Sequence, residues 1–205
     1  MKIGVLGTGM VGNAIASKLV QGGHEVMMGS RNANSEAGLE WLRRVGDKAQ
    51  IGTFADAAAF GEIIFDCTNG ANSVTALKQA GAANLRTKIL IQIGNPLDFS
   101  KGMPPSLTVC NTDSLGEQVQ REFPDVRVVK ALNTVNCDIM IDASRVPGDH
   151  DLFICGNDVR QSGKWPTCFA NGSAGSLPTL LIWATSAIRA ARRCFSRFGC
   201  NYGGC

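Results

Sequence analysis

No stretch of the 205 residues approaches the roughly 20 consecutive apolar residues that a membrane-spanning helix needs. The N-terminus also lacks the charged segment and short apolar core of a secretory signal, so the sequence reads as a soluble, cytoplasmic protein with no membrane partner. None of the eight cysteines is spaced C-x-x-C. Cys67, Cys110, Cys137 and Cys155 are scattered and the other four lie near the C-terminus, which favours reduced thiols over disulfides or a zinc site. Acidic residues are missing altogether after Asp158, where six of the twenty Lys and Arg lie. Before that point fourteen basic residues face seventeen acidic ones. The net charge of +3 therefore belongs to the last 47 residues, and a nucleic-acid partner loses its main support. Histidine is scarce: His24 follows a glycine in a turn and reads as a surface residue, and His150 sits in a polar run, 148–151, that gives it no evident acid role.

What is present is a chain 44% apolar, enough to bury the core of one mid-sized domain. Residues 2–6 form a short apolar, β-branched run. Gly7-Thr8-Gly9-Met10-Val11-Gly12 follows at once, and Ala14, Ile15, Leu19 and Val20 then recur at helical spacing. Gly22-Gly23 closes that helix, and 25–29 reads as a second strand ending in Ser30-Arg31-Asn32. The alternation continues with a helix over 36–45, on which Trp41 reads as a packing residue, a strand over 50–53 and an alanine-rich helix over 54–60. Next come a strand over 63–67, a helix over 73–80, a strand over 88–93, a helix over 114–122 opened by a Ser114 cap, and strands over 127–132 and 151–155. Strands that alternate with helices at this spacing predict an α/β fold: a Rossmann-type, doubly wound, mainly parallel sheet with helices on both faces.

Three glycines alone are a weak signal, but here they follow a first strand and open a helix. In that setting Gly7 permits the tight turn, Gly9 removes a side chain that would block a pyrophosphate, and Gly12 lets the helix pack closely, with Thr8, Met10 and Val11 completing the loop. The helix N-terminus, with its free N–H groups and positive dipole end, would face the phosphates. The end of the second strand separates the two nicotinamide dinucleotides. An NAD site usually carries Asp or Glu there for the ribose 2′-hydroxyl, whereas this chain has no acid until Glu36. Arg31 suits a forked contact with a 2′-phosphate, and Ser30 and Asn32 add neutral donors, so NADP(H) is the expected cofactor. Thr68-Asn69, Gly94-Asn95-Pro96 and Ala131-Leu132-Asn133 each lie just past a strand C-terminal end. That is the ligand-binding edge of open α/β sheets, and these residues are expected on the nicotinamide side. Cys67 ends a buried strand, and burial accounts for it.

Taken together, residues 2–12, Gly29-Ser30-Arg31, Gly94-Asn95-Pro96, Val129-Lys130-Ala131-Leu132-Asn133-Thr134 and Cys155-Gly156-Asn157-Asp158 resemble the deazaflavin-dependent NADP oxidoreductase family. Its members move hydride between NADP(H) and the deazaflavin coenzyme F420, or act on small acceptors not yet assigned. The resemblance implies that residues 8–11 hold the pyrophosphate, Ser30 and Arg31 the 2′-phosphate, and the Ala131 region the nicotinamide amide. It also implies a deazaflavin or small-molecule acceptor, and a homodimer where the C-terminus permits. Hydride transfer between two cofactors needs alignment more than an acid or base, and no catalytic residue is singled out. Two rivals remain. One is a reductase of the pyrroline-5-carboxylate or β-hydroxy acid type, which needs a long helical second domain; the other is an NADP-binding module without catalysis, either a redox sensor or an inactive truncated product.

The resemblance covers residues 1–158, the expected NADP-binding Rossmann domain, and stops there. Residues 159–205 form an atypical segment without Asp or Glu. Back-translation one nucleotide out of register from Val159 permits a reading with a helix, Gly-Trp, a strand and a last helix, as in the family. A single-nucleotide deletion near codon 159 is the expected origin of this segment. A tail unselected for the fold would leave apolar surface uncovered and lower stability.

Overall fold

The computed structural model describes residues 1–147 and 154–156. The expectations for 151–153 and for 159–205, the out-of-frame reading included, lie outside those residues, as does His150. The chain opens with β1 (Lys2–Leu6), α1 (Met10–Gln21), β2 (Glu25–Ser30), α2 (Glu36–Val45), β3 (Ala49–Thr53), α3 (Phe54–Phe60) and β4 (Ile63–Asp66). After a 3-10 turn at Gly70–Asn72 come α4 (Ser73–Ala80), α5 (Ala82–Leu85) and β5 (Ile89–Gln92). A small hairpin of β6 (Leu97–Asp98) and β7 (Ser106–Leu107) leads to α6 (Leu115–Glu122), β8 (Arg127–Ala131), α7 (Cys137–Ile141), a second 3-10 turn and β9 (Ile154–Gly156).

Seven strands form one sheet in the order β3-β2-β1-β4-β5-β8-β9. All neighbours pair in parallel except β9, which runs antiparallel to β8. The mainly parallel, doubly wound sheet read from the sequence is therefore observed, with its exception at the β9 edge. Because crossovers put helices on both faces, the strands are apolar on both sides. Ile3, Val5, Phe65 and Ile91 face α1, α2 and α7, while Leu6, Ile64, Leu90 and Val128 face α3 to α6. Trp41 is fully buried against α1 and donates its Nε1–H to Ser17 Oγ at 3.0 Å, so packing is its role, as expected.

The helix starts follow local chemistry. Ser114 Oγ accepts the Glu117 N–H at 3.2 Å, as the cap over 114–122 predicted. Thr53 and Asp56 form a capping box at α3, which the sequence reading had passed over. The sheet reverses its winding between β1 and β4: β2 and β3 lie to one side, β5 and β8 to the other. Two loops meet at that reversal, the glycine loop after β1 and the exit of β4, and this is where ligands of such sheets bind.

Candidate functional site

Each of the three motif glycines has a separate structural reason. Gly7 has φ +111°, and a Cβ there would meet the Cys67 carbonyl oxygen at 2.9 Å, so the β1 exit fits under the β4 exit only as glycine. A Cβ on Gly12 would overlap the carbonyl oxygen of Gly7, so α1 starts against its own preceding turn. Gly9 differs: its φ of −72° suits any residue, and a Cβ would meet no atom of the described residues within 4 Å. Its lack of a side chain keeps open the space in front of α1. No side chain among the described residues caps that helix, and no acid stands in its first turn. An open cradle before uncapped backbone N–H groups fits a pyrophosphate, and the donor chemistry fits as well. Met10 is strongly exposed at the rim of this cradle.

At the end of β2, Arg31 and Asn32 are exposed while Ser30 is buried. The Ser30 hydroxyl donates to the Asn32 carbonyl at 2.5 Å, so it is not the outward donor expected from the sequence; a buried hydroxyl takes the nearest acceptor. Asn32 Oδ1 accepts the Asn34 N–H at 3.0 Å, which leaves its amide NH2 outward. Arg31 makes no hydrogen bond or ion pair with the described residues.

The three exit loops expected to share an edge are brought together. A Cβ on Gly94 would lie 2.7 Å from the Thr68 carbonyl oxygen, and one on Gly70 would overlap the Asn95 carbonyl. Asn95 Nδ2 donates to the Asn133 carbonyl at 2.7 Å and so links the β5 exit to the β8 exit. Several side chains named from the sequence serve the fold here. Pro96, Ala131 and Leu132 are buried, and only their backbone faces the edge. The Thr68 hydroxyl points inward and donates to Asp66 Oδ1 at 2.6 Å. Asn69 is exposed, with its Oδ1 capping the 3-10 turn at Ala71 N–H. Leu132 holds φ +64° in the left-handed region, a conformation that costs a non-glycine residue about 1–2 kcal/mol and is sustained by the packing around it.

Residues 2–96 match the model of the family described as NADP oxidoreductase, coenzyme F420-dependent. A solved structure from Arthrobacter sp. FB24, of a protein proposed to be an F420-dependent NADP-reductase, superposes with a TM-score of 0.76 at 40% identity, covering 97% of this chain and 95% of that one. The chain belongs to this family. Metalloreductase STEAP3 of Rattus norvegicus is 29% identical over 160 residues, and the chain spans 29% of its length. An imine reductase from Aspergillus terreus, solved with NADPH4 and a dibenzazepine, shares the fold at a TM-score of 0.57 and 16% identity, covering 97% of this chain and 61% of that one.

The chain also carries a polar row that the sequence reading missed. Asp66, Gln92 and Lys130 are register partners on neighbouring strands β4, β5 and β8, each at or next to the strand's last position. Asp66 is fully buried and accepts from Thr68 N–H at 3.1 Å, from the Thr68 hydroxyl and from the Ser73 hydroxyl. Lys130 Nζ donates to Gln92 Oε1 and, at 2.5 Å, to the Gly94 carbonyl. Burial pulls the Lys130 ammonium down to about 8, partly offset by Asp66 and Cys155. Each strand by itself shows only a polar residue near its end, and the row forms when the register aligns them.

Burial, reinforced by the Asp66 carboxylate, pushes the Cys67 thiol well above its ordinary range, whereas Cys110 is exposed. Since the thiolate is the reactive form, iodoacetamide near pH 7.5 should alkylate Cys67 at least about ten-fold more slowly than Cys110. Peptide mass spectrometry against time reads this, and equal labelling rates would refute the half-buried, protonated thiol. Among the described residues no group of three His, Cys, Asp or Glu is arranged to hold a metal, and no helix is long and apolar enough to cross a membrane.

Proposed function

We propose that this chain binds NADP(H) across the β1–β4 reversal and carries hydride between it and a deazaflavin of the coenzyme F420 type. The observation that carries the reading is the end of β2: an exposed, unengaged Arg31 stands where an NAD site would hold a carboxylate. When bound, NADPH supplies a hydride from its dihydropyridine ring, and an oxidised deazaflavin is an acceptor matched to it. The protein's own part is binding and alignment. Gly9 admits the pyrophosphate to the α1 N-terminus, and Arg31 meets the 2′-phosphate with a planar pair of donors. The joined exit loops of β4, β5 and β8 then fix the ring end of the cleft. With both redox partners supplied, no side chain has to become a nucleophile.

The test is anaerobic mixing of the full chain with NADPH and oxidised coenzyme F420, followed by the loss of deazaflavin absorbance. Turnover with NADPH that exceeds turnover with NADH by about ten-fold or more is expected from one charge-assisted contact. NADPH binding without any oxidation by the deazaflavin would leave a nucleotide-binding module and overturn the acceptor assignment.

A further inference from the structure

We infer that Lys130 is a positioning residue that sets the ring end of the cleft, by clamping the β5 exit turn to β8 through Gln92 and the Gly94 carbonyl. The inference rests on the proposed NADP(H) site for its consequence, but its geometry stands without a ligand. Lys130 lies on the α4–α6 face of the sheet, in register between Gln92 of β5 and Cys155 of β9. The backbone of α6 closes over its stem at Gly116, where a Cβ would lie 3.7 Å from Lys130 Cβ. Gln92 is fully buried, its Oε1 taken by Lys130 and its Nε2 donating to the Gly94 carbonyl at 3.3 Å. Both side chains therefore converge on one carbonyl, that of the residue opening the Gly94-Asn95-Pro96 turn.

That turn passes the constraint on. Gly94 packs against the Thr68 carbonyl, and Asn95 holds the Asn133 carbonyl at 2.7 Å. The Pro96 carbonyl accepts the Thr108 N–H at 2.8 Å, tying in the strand β7 that returns beside it. One ammonium thus sits beneath the exits of three strands. Its countercharge, Asp66, is held by Thr68 and Ser73 two strands away, so the charge is balanced across Gln92 without a direct ion pair. No buried side-chain polar atom among the described residues lacks a partner, so removing the ammonium leaves Gln92 Oε1 without its donor and the Gly94 carbonyl with only the weaker amide contact. The adenosine side of the cleft, built on β1, β2 and α1, shares none of these contacts.

Lys130→Met keeps the stem and deletes the charge, and two readouts follow it. Without nucleotide, hydrogen exchange at the Leu97 and Thr108 amides, whose acceptors are the Asn95 and Pro96 carbonyls, should speed up about ten-fold, while the β1 and β2 amides keep their rates. With nucleotide, the dissociation constant of NADPH should rise about ten-fold, while that of 2′,5′-ADP, which lacks the nicotinamide half, stays within about two-fold. General loss of structure would weaken both ligands alike and accelerate exchange in β1 and β2, and that result overturns the inference, as does unchanged exchange in the turn. Asn95→Ala is the second variant: it cuts the link from the turn to Asn133 and should reproduce the NADPH-against-2′,5′-ADP split. If the turn loosens in Lys130→Met but the parent protein binds neither nucleotide, the clamp stands and the cofactor reading falls.

Discussion

Gly9→Ala should bind NADPH about 100-fold more weakly than the parent protein while unfolding within about 1 kcal/mol of it. The two halves have different causes. Gly9 has an extended backbone open to any residue, and a Cβ there touches no described residue within 4 Å, so the described fold has no need of glycine at this position beyond a small N-cap preference. The open volume is useful only to something that enters it, and a methyl group there holds the phosphates away from the α1 N-terminus. Gly12→Ala is the opposite case. Its Cβ overlaps the backbone oxygen of Gly7, which cannot swing aside as a side chain could. Overpacking of that kind costs about 1–3 kcal/mol, more than the roughly 1 kcal/mol gained from helix propensity. Urea unfolding and fluorescence titration of the two variants should therefore separate a glycine kept for a ligand from one kept for packing. Undiminished NADPH affinity in Gly9→Ala would mean that the cradle is not a phosphate site.

Arg31→Ala should remove most of any preference for NADPH over NADH, a loss of about 10-fold to 100-fold in the ratio of dissociation constants. A hydrogen bond to a charged group contributes about 1.5–3 kcal/mol, and solvent screening at an exposed residue favours the lower end. Arg31 is exposed and engages no described residue, so the substitution should leave unfolding unchanged. NADH affinity should stay within about two-fold, because the adenosine ribose without its phosphate offers the guanidinium only a neutral, solvent-exposed hydroxyl in place of a charged acceptor. Arg31→Glu should go further and repel NADPH outright, since a carboxylate facing a 2′-phosphate is a like-charge contact. Ser30→Ala tests the corrected role of its neighbour: with its hydroxyl turned to the Asn32 carbonyl, Ser30 should influence discrimination less than Arg31.

The glycine turn, the helix bounds at 54–60 and 73–80, the Ser114 cap and the parallel alternation were legible because each is written locally, in periodicity and in residues adjacent in sequence. The elements that escaped are short or depend on tertiary partners. α5 is four residues long, β6 and β7 are two each, and α7 is recognisable only through Cys137 and Met140 packing on α1. The antiparallel direction of β9 is a property of where the chain returns, not of its residues. The site shows the same division. The turn and packing roles of Gly7 and Gly12 could be read from position alone, but whether Pro96, Ala131 and Leu132 are buried is decided by tertiary packing. The Asp66–Gln92–Lys130 row exists only in the register of three strands far apart in sequence, so no local window contains it.

The most direct test of the central claim is calorimetric titration of the full chain with NADPH and with NADH under identical salt. The account predicts a single site per chain, with NADPH bound at least about ten-fold more tightly. Equal affinities, a preference for NADH, or no binding of either nucleotide would contradict it.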